Sequence, residues 1–170
     1  PAELESGIHE DDATIMLGDA DFQQAMKNTR EFVVQDYPFY HLNPGFKQGN
    51  KGYDYWADKF RKLFEVDFDL KKCANSFLLL QAYPYKSKEF KKMTLLPSFD
   101  FTRRILLSAM QRRALVVQLR SKKIWEEAVP ELAAYPRRIE CRNPRRPTLS
   151  PGNLGSEGWR ILLSALLDAG

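Results

Sequence analysis

The sequence contains few of the residues that metal centres and disulfide frameworks need. Its 170 residues include two cysteines, Cys73 and Cys141, and two histidines, His9 and His41. Two cysteines far apart in sequence cannot form a disulfide framework, a four-cysteine zinc site or a cysteine-ligated iron–sulfur cluster on their own. We therefore expect a reduced, cytoplasmic domain that binds no metal and uses no cofactor.

Long apolar runs and the common nucleotide-binding or hydrolase motifs are also missing. No stretch reaches the length of about 18 apolar residues that a membrane span requires, and no basic-then-apolar leader opens the sequence. Glycine-rich phosphate loops and the Gly-x-Ser-x-Gly motif are absent, so the usual signals of triphosphatases, dinucleotide enzymes and serine hydrolases are lacking. With 44% hydrophobic residues, the chain can bury a core. We expect one domain over residues 1–170 without membrane contact.

Positive charge is concentrated in the second part of the chain. Residues 1–70 carry 14 acidic and 7 basic side chains, whereas residues 71–170 carry 8 acidic and 19 basic ones. A chain divided in this way can fold with one electropositive face, which suits a polyanion because neutralised phosphates release their counterions. The alternative is a surface on which solvated Lys and Arg side chains are scattered.

Strands and helices alternate in the hydrophobic pattern from residue 76 onward. Continuous apolar runs predict strands, at residues 76–82, 114–119 and, more weakly, 138–141. Helical spacing predicts helices, at residues 18–34, 53–64, 98–113, 121–128 and 156–168. Ser98 and Ser121 are expected to cap the helices that they begin. The alternation predicts an α/β fold with a parallel sheet and helices on both of its faces.

Polar side chains stand where each predicted strand ends. Gln81 ends the first strand, Arg120 ends the second, and Asn143 follows the third. The first strand leads into the basic loop 83–88, and the third leads into the turn-rich loop 143–155. Ligands of open parallel sheets bind beyond these strand ends. We expect a concave, positive rim there, suited to phosphate contacts and to the stacking of bases on aromatic rings.

Ordinary structural roles compete with this interpretation. Tyr83 and Tyr85 can cover the sheet edge, since aromatic side chains usually act in packing. Asn143 can form an Asx-turn before Pro144. Arg120 can pair with a nearby carboxylate, and the lysines of the basic loop can be solvated.

The order of these motifs resembles the uracil-DNA glycosylase superfamily, and most closely an uncharacterised bacterial branch of glycosylase-like proteins. The resemblance covers roughly residues 37–167 and is carried by Gln81, the loop 83–88 and the Asn143-Pro144 loop before the last helix. It implies a three-layer α/β/α fold with a central, mainly parallel four-stranded sheet. Its first strand is expected upstream of Pro1, so that the domain is N-terminally incomplete. The resemblance also implies base flipping and metal-free hydrolysis of the N-glycosidic bond.

The same resemblance implies a set of site residues. Gln81 would read the edge of the base, and Asn143 stands where the family has a histidine that stabilises the departing base anion. Leu149 would wedge the minor groove, and Tyr40 or Phe46 would stack on the base. Nucleic-acid contacts are expected from Tyr85, Lys86, Lys88, Arg120, Arg145, Arg146 and Leu149.

Three functional hypotheses follow from these observations. The first is a DNA glycosylase-like hydrolase that acts on a flipped base. The second is a catalytically silent module that holds DNA, another nucleic acid or a nucleotide in the same cleft. The third is a soluble domain whose basic half binds an acidic protein. Steep salt dependence of DNA binding separates the first two hypotheses from the third, and release of free base separates the first from the second.

Overall fold

Helices and two parallel strands alternate in the second half of the chain. The computed structural model describes residues 24, 27–28, 31, 33–46, 51–82 and 99–168. Five α-helices have both ends within these ranges: α1 Lys51–Phe64, α2 Leu70–Ser76, α3 Phe99–Gln111, α4 Lys122–Ala128 and α5 Pro151–Asp168. The strands are β1 Val116–Gln118 and β2 Arg138–Glu140, and the 3-10 turns are Tyr40–Leu42, Pro44–Phe46 and Pro130–Leu132. No helix in the described ranges has the length and apolar character to cross a membrane.

The two strands form a parallel pair, and this confirms the predicted α/β class with a parallel sheet. Val117 lies opposite Ile139, and backbone hydrogen bonds flank the pair. The amide of Val116 donates to the Arg137 carbonyl, and the amide of Cys141 donates to the Gln118 carbonyl, both at 2.9 Å. The connection runs through α4 and a 3-10 turn, as parallel pairing requires. Both strands therefore end at the same edge.

Hydrophobic clusters cover both faces of this sheet. Val117 of β1 packs against a cluster that we call the large core, whereas Val116 packs against a second cluster, the small core. The large core contains Leu42, Phe60, Leu63, Phe68, Cys73, Ala74, Ile139, Leu149, Leu154, Leu162 and Leu166. The small core contains Ala82, Phe99, Leu106, Trp125, Val129 and Leu132. Helices α1, α2 and α5 thus lie on one side of the strands, and α3 and α4 lie on the other.

Ion pairs join β2 to α4. Arg138 donates to the Glu126 carboxylate, and Lys122 approaches the Glu140 carboxylate at 2.8 Å. The Arg138 side chain is only 13% exposed, so its guanidinium is held close to its partner. These contacts fix the helix that follows β1 against the strand that comes after it.

The structure differs from the prediction of a strand at residues 76–82. Ser76 ends α2, and residues 77–82 form no strand. Phe77 packs against the large core and Leu80 against the small core, but Leu78 is 65% exposed. An apolar run alone predicts a strand buried on both faces, and the exposure of Leu78 does not fit that environment. The described ranges therefore contain a sheet of two strands.

One helix and one helix cap differ from the prediction. Helix α2 was not predicted, although Asp69 caps it by accepting a hydrogen bond from the Lys72 amide at 2.7 Å. The prediction that Ser121 caps α4 is wrong, because its backbone is left-handed with φ 57° and its side chain makes no capping hydrogen bond. Ser98 lies outside the described residues. The same holds for most of the helix predicted at 18–34, of which residues 24, 27 and 28 are helical.

A helical turn that the sequence did not predict precedes the predicted last helix. Helix α5 starts at Pro151, and the Ser150 hydroxyl accepts a hydrogen bond from the Asn153 amide at 3.3 Å. This serine-then-proline start is a common way to begin a helix. The predicted start at Ser156 coincides with an internal break at Gly155, where φ is 73° and ψ is 161°.

His41 lies in an aromatic environment beside the large core. Its ring meets Phe39 and Tyr40 edge-on, with centroid distances of 6.2 and 5.6 Å. Its Nδ1 atom is buried and makes no hydrogen bond. Burial lowers the pKa of His41 because the charged imidazolium would lose its hydration. The folded protein therefore favours the neutral ring.

Truncation of Leu63 tests the large core. This residue on α1 is fully buried, so Leu63→Ala should lower the free energy of unfolding by about 2–5 kcal/mol. Urea denaturation measures the loss. Leu167→Ala is the matched control because Leu167 also lies on a helix but is 65% exposed, and its effect should stay within about 0.5 kcal/mol. Equal effects of the two substitutions would contradict the assignment of the core.

Acidification tests the state of His41. Since its pKa is lowered in the folded protein, the unfolded chain takes up a proton more readily as the pH falls below 6.5. Stability contributed by the neutral ring is therefore complete above pH 6.5 and is lost below it, by at most about 1.4 kcal/mol per pH unit. Denaturation at pH 7.5 and 5.5 should show a smaller decrease for His41→Phe than for the wild type. The same decrease in both proteins would exclude this histidine as its source.

Candidate nucleic-acid interface

Two of the three predicted strand ends meet at one edge of the sheet. Arg120 follows β1, and Asn143 follows β2 in a loop that we call the rim loop, residues 143–150. The Nε atom of Arg120 donates a hydrogen bond to the Pro144 carbonyl at 3.1 Å. This bond spans 24 residues of sequence and joins the exit of one strand to the loop after the next. The parallel pairing of the strands makes it possible.

Asn143 shapes the beginning of the rim loop. Its Oδ1 atom accepts hydrogen bonds from the amides of Arg145 and Arg146, at 3.2 and 3.3 Å. The Asx-turn that sequence analysis gave as the ordinary role of Asn143 is therefore present. The residue is exposed, and its Nδ2 atom makes no hydrogen bond within the described part of the chain. The turn uses the acceptor of this side chain and leaves its two N–H donors available.

The end of the rim loop is anchored in the large core. Leu149 is 3% exposed, and its amide donates to the Lys59 carbonyl of α1 at 3.0 Å. The prediction that Leu149 wedges the minor groove is therefore wrong for this conformation, because a side chain buried in the core cannot enter a duplex. Burial of Leu149 instead holds one end of the loop while Arg145 and Arg146 are exposed.

Three exposed arginines at this edge have no acidic partner within the described residues. Arg120, Arg145 and Arg146 are exposed, and none of them forms an ion pair with any carboxylate in the described ranges. Arg138 and Arg160, by contrast, pair with Glu126 and Glu157. The alternative role of Arg120, pairing with a nearby carboxylate, is not found in the described ranges, where its side chain bonds to the Pro144 carbonyl. The unneutralised guanidinium groups make this edge favourable for an anion.

Arg142 also lies at this edge, although no role was predicted for it. Its amide donates to the Asn153 carbonyl at 2.8 Å, and its guanidinium lies over Gly155. A Cβ at position 155 would come within 2.4 Å of Arg142 Nη2. A glycine at position 155 thus allows both the positive φ and the close approach of the Arg142 guanidinium. The signal in the sequence was the glycine that ends the predicted loop 143–155, directly before the predicted last helix.

The other predicted site residues are placed only in part. Gln81 is exposed, and no hydrogen bond within the described part joins it to the rim loop. Tyr40 is half-buried in its 3-10 turn. Phe46 ends the turn Pro44–Phe46, and its side chain lies outside what the structure describes. Tyr85, Lys86 and Lys88, like Tyr83, lie outside the described residues. The contribution of all these residues stays a prediction.

Gln118 is a buried polar residue that sequence analysis missed. It is the last residue of β1 and is 6% exposed. Its Nε2 atom lies 3.5 Å from the Lys122 carbonyl, and its Oε1 atom is buried without a hydrogen bond. An unpaired buried carbonyl is unfavourable. The signal in the sequence was a single amide inside an otherwise apolar strand.

Neither cysteine stands in a setting that activates a thiol. Burial raises the pKa of Cys73 to about 12, so the thiol stays protonated at neutral pH. Cys141 is buried and its Sγ atom lies 3.5 Å from the Asn143 carbonyl. Within the described ranges, no three His, Cys, Asp or Glu side chains cluster as a metal site would require. The chemistry available at the rim loop is that of amide donors and guanidinium groups.

Substitution of Gly155 tests the close packing beneath the rim loop. Gly155→Ala places a Cβ against the Arg142 guanidinium in a backbone region that glycine alone adopts readily, so it should destabilise the protein by about 1–3 kcal/mol. Gly152→Ala in the same helix is the control, because nothing lies within 4 Å of the added Cβ. Thermal unfolding distinguishes the two variants. A stable Gly155→Ala protein would contradict the packing described.

Comparison with known proteins identifies no family for this chain. Family models, curated proteins and solved structures were compared, and no significant match was found. Function is therefore inferred from the geometry and charge of the rim loop.

Proposed function

We propose that this protein binds DNA at the rim loop and hydrolyses the N-glycosidic bond of a base flipped out of the strand, as uracil-DNA glycosylase-like proteins do. The observation that carries the proposal is the Asx-turn of Asn143. This turn presents free amide donors beside two exposed, unpaired arginines, Arg145 and Arg146. Donors for a leaving base and cations for phosphates are thus held on one short loop.

The proposal includes a more complete sheet than the two described strands. Helices on both faces of β1 and β2 agree with a three-layer α/β/α arrangement. Residues 77–82 form no strand in the structure, but they contact both cores, through Phe77 and Leu80. A four-stranded, mainly parallel sheet would bring Gln81 to the same edge as Arg120 and Asn143.

The hydrolysis needs stabilisation of a departing anion. Water bonds to the C1′ carbon of the sugar, the bond from C1′ to the base nitrogen breaks, and its electron pair leaves with the base. The proton released by the water neutralises the base. Asn143 Nδ2 donates to a carbonyl oxygen of the base while this negative charge develops. A donor held in place before the reaction needs little reorganisation, which makes it effective.

The remaining residues hold the nucleic acid in this proposal. Arg145 and Arg146 contact successive phosphates, and Arg120 supports the loop from beneath through Pro144. Gln81 reads the edge of the flipped base with its amide, and Tyr40 or Phe46 stacks on its face. Tyr85, Lys86 and Lys88 extend the phosphate contacts along the strand. Stacking and electrostatic contacts together are typical of proteins that hold an unpaired base.

A binding module without hydrolysis is the second candidate. The specific observation that favours it is the neutral side chain of Asn143, which donates hydrogen bonds but cannot supply the positive charge of a protonated imidazole. The same loop would then hold DNA, another nucleic acid or a nucleotide through its arginines and its free amide. The two candidates share the interface and differ in the release of base.

Two substitutions of Asn143 test the proposed hydrolysis. Asn143→Asp keeps an acceptor for the Asx-turn but removes the amide donors, and Asn143→Ser keeps a weaker turn without added charge. Loss of one such donor should slow base release by about 100- to 1000-fold. The assay measures free base from oligonucleotides that contain uracil or hypoxanthine.

Binding of the same oligonucleotides is the control for these variants. Asn143→Ser should bind as the wild type does, within a few-fold. Unchanged base release in both variants would exclude Asn143 as the donor. No base release by the wild type, with binding retained, would favour the binding module.

Charge reversal tests the role of the two arginines in binding phosphates. Arg145→Glu with Arg146→Glu should weaken DNA binding for every sequence. It should also reduce the slope of log affinity against log salt by about 1 for each phosphate that the variant no longer neutralises. Lys123→Glu is the matched control, because this exposed cation lies on α4 and pairs with Glu127. Fluorescence anisotropy over a range of salt concentrations gives both quantities. Unaltered binding, or binding without salt dependence, would favour an acidic protein partner.

A further inference from the structure

Asn153 is a buried polar residue whose side chain donates two hydrogen bonds to the rim loop. It lies in the first turn of α5 and is 8% exposed. Its Nδ2 atom donates to the Arg146 carbonyl at 2.7 Å and to the Thr148 hydroxyl at 2.8 Å. Both amide protons are thus used, and both acceptors belong to the rim loop. A buried amide with this geometry constrains the two positions that it bonds.

The backbone of Asn153 is bonded at both of its polar groups. Its amide donates to the Ser150 carbonyl at 3.1 Å, and its carbonyl accepts from the Arg142 amide at 2.8 Å. The first of these bonds starts α5, and the second reaches the residue that follows β2 by two positions. One residue therefore links the sheet edge, the rim loop and the start of the last helix.

The exposed part of the rim loop depends on such constraints. Arg145 and Arg146 are exposed and have no ion pairs within the described part of the chain, so side-chain packing does not fix their positions. Asn143 Oδ1 holds their amides from one side, and Asn153 Nδ2 holds the Arg146 carbonyl from the other. The peptide units of the two arginines are thus clamped between two asparagine side chains.

We propose that Asn153 is a positioning residue for phosphate recognition: it fixes the backbone of Arg146 so that the Arg145 and Arg146 guanidinium groups meet successive phosphates of a nucleic-acid strand. The inference rests on the proposed function, in its DNA-binding part. Asn153 itself is buried beneath the loop and acts through Arg146. Loss of its amide leaves the Arg146 carbonyl without this partner and lets the loop take other conformations, which weakens binding that depends on a preorganised loop.

A double-mutant cycle tests this role. Asn153→Ala and Arg146→Gln are measured singly and together, as the affinity for a single-stranded 12-mer oligonucleotide. If Asn153 acts through Arg146, the loss in the double variant is smaller than the product of the two single losses, by about fivefold or more. If Asn153 has a purely structural effect, Asn153→Ala lowers the melting temperature, but the two single losses of affinity multiply in the double variant. We call a smaller loss in the double variant an overlap of the losses. The adjacent substitution Gly152→Ala is the control: it should leave the affinity unchanged, alone and in combination with Arg146→Gln.

A second pair of variants keeps the test valid if Asn153→Ala does not fold. Thr148→Val removes one acceptor of the Asn153 amide, whereas Thr148→Ser retains it. Thr148→Val should weaken binding and reduce the salt slope, and Thr148→Ser should restore both. Equal binding by these two variants overturns the inference, as does a double-mutant cycle in which the two losses multiply.

The outcomes separate this inference from the proposed function. Binding with overlapping losses but without base release supports the role of Asn153 and removes the hydrolytic step. Base release with multiplicative losses supports the hydrolysis and overturns the role of Asn153. If the wild type does not bind the oligonucleotide at any salt concentration, the proposed function and the inference are overturned together.

Discussion

Parallel pairing of β1 with β2 is the constraint from which the candidate site follows. Strands that run in the same direction end at the same edge, so Arg120 and Asn143 lie near each other although they are far apart in sequence. An antiparallel pair would place the two strand exits at opposite ends. The hydrogen bond from Arg120 to Pro144 is the direct consequence of this topology, and it ties the rim loop to the sheet.

The rim loop combines a buried end with exposed side chains. Leu149 is fixed in the large core, and Ser150 begins α5 by accepting an amide hydrogen bond. Between these anchors and Asn143, both arginines are exposed. The loop is therefore rigid in its backbone and open in its side chains, a combination that suits recognition because little ordering is needed on binding.

The sequence predicted the elements whose pattern is strong and missed those that depend on tertiary contacts. Periodicity was enough for α1, and apolar runs were enough for β1. The sequence could not show that Leu78 would be exposed, because a run of leucines fits a buried strand as well as it fits a segment with one exposed leucine. The burial of Leu149 and the role of Asn153 depend on contacts with α1 and with the rim loop, which no local pattern encodes.

Charge distribution adds a physical reason to connect this edge with a polyanion. Between β2 and α4, the Glu126 carboxylate neutralises Arg138. Arg145 and Arg146 follow β2 by only a few residues, yet they stand without such partners in the described ranges. Like charges held together by a rigid loop repel each other, and an anion that bridges them relieves this repulsion. A strand of phosphates supplies such anions at regular spacing, which a single carboxylate cannot do.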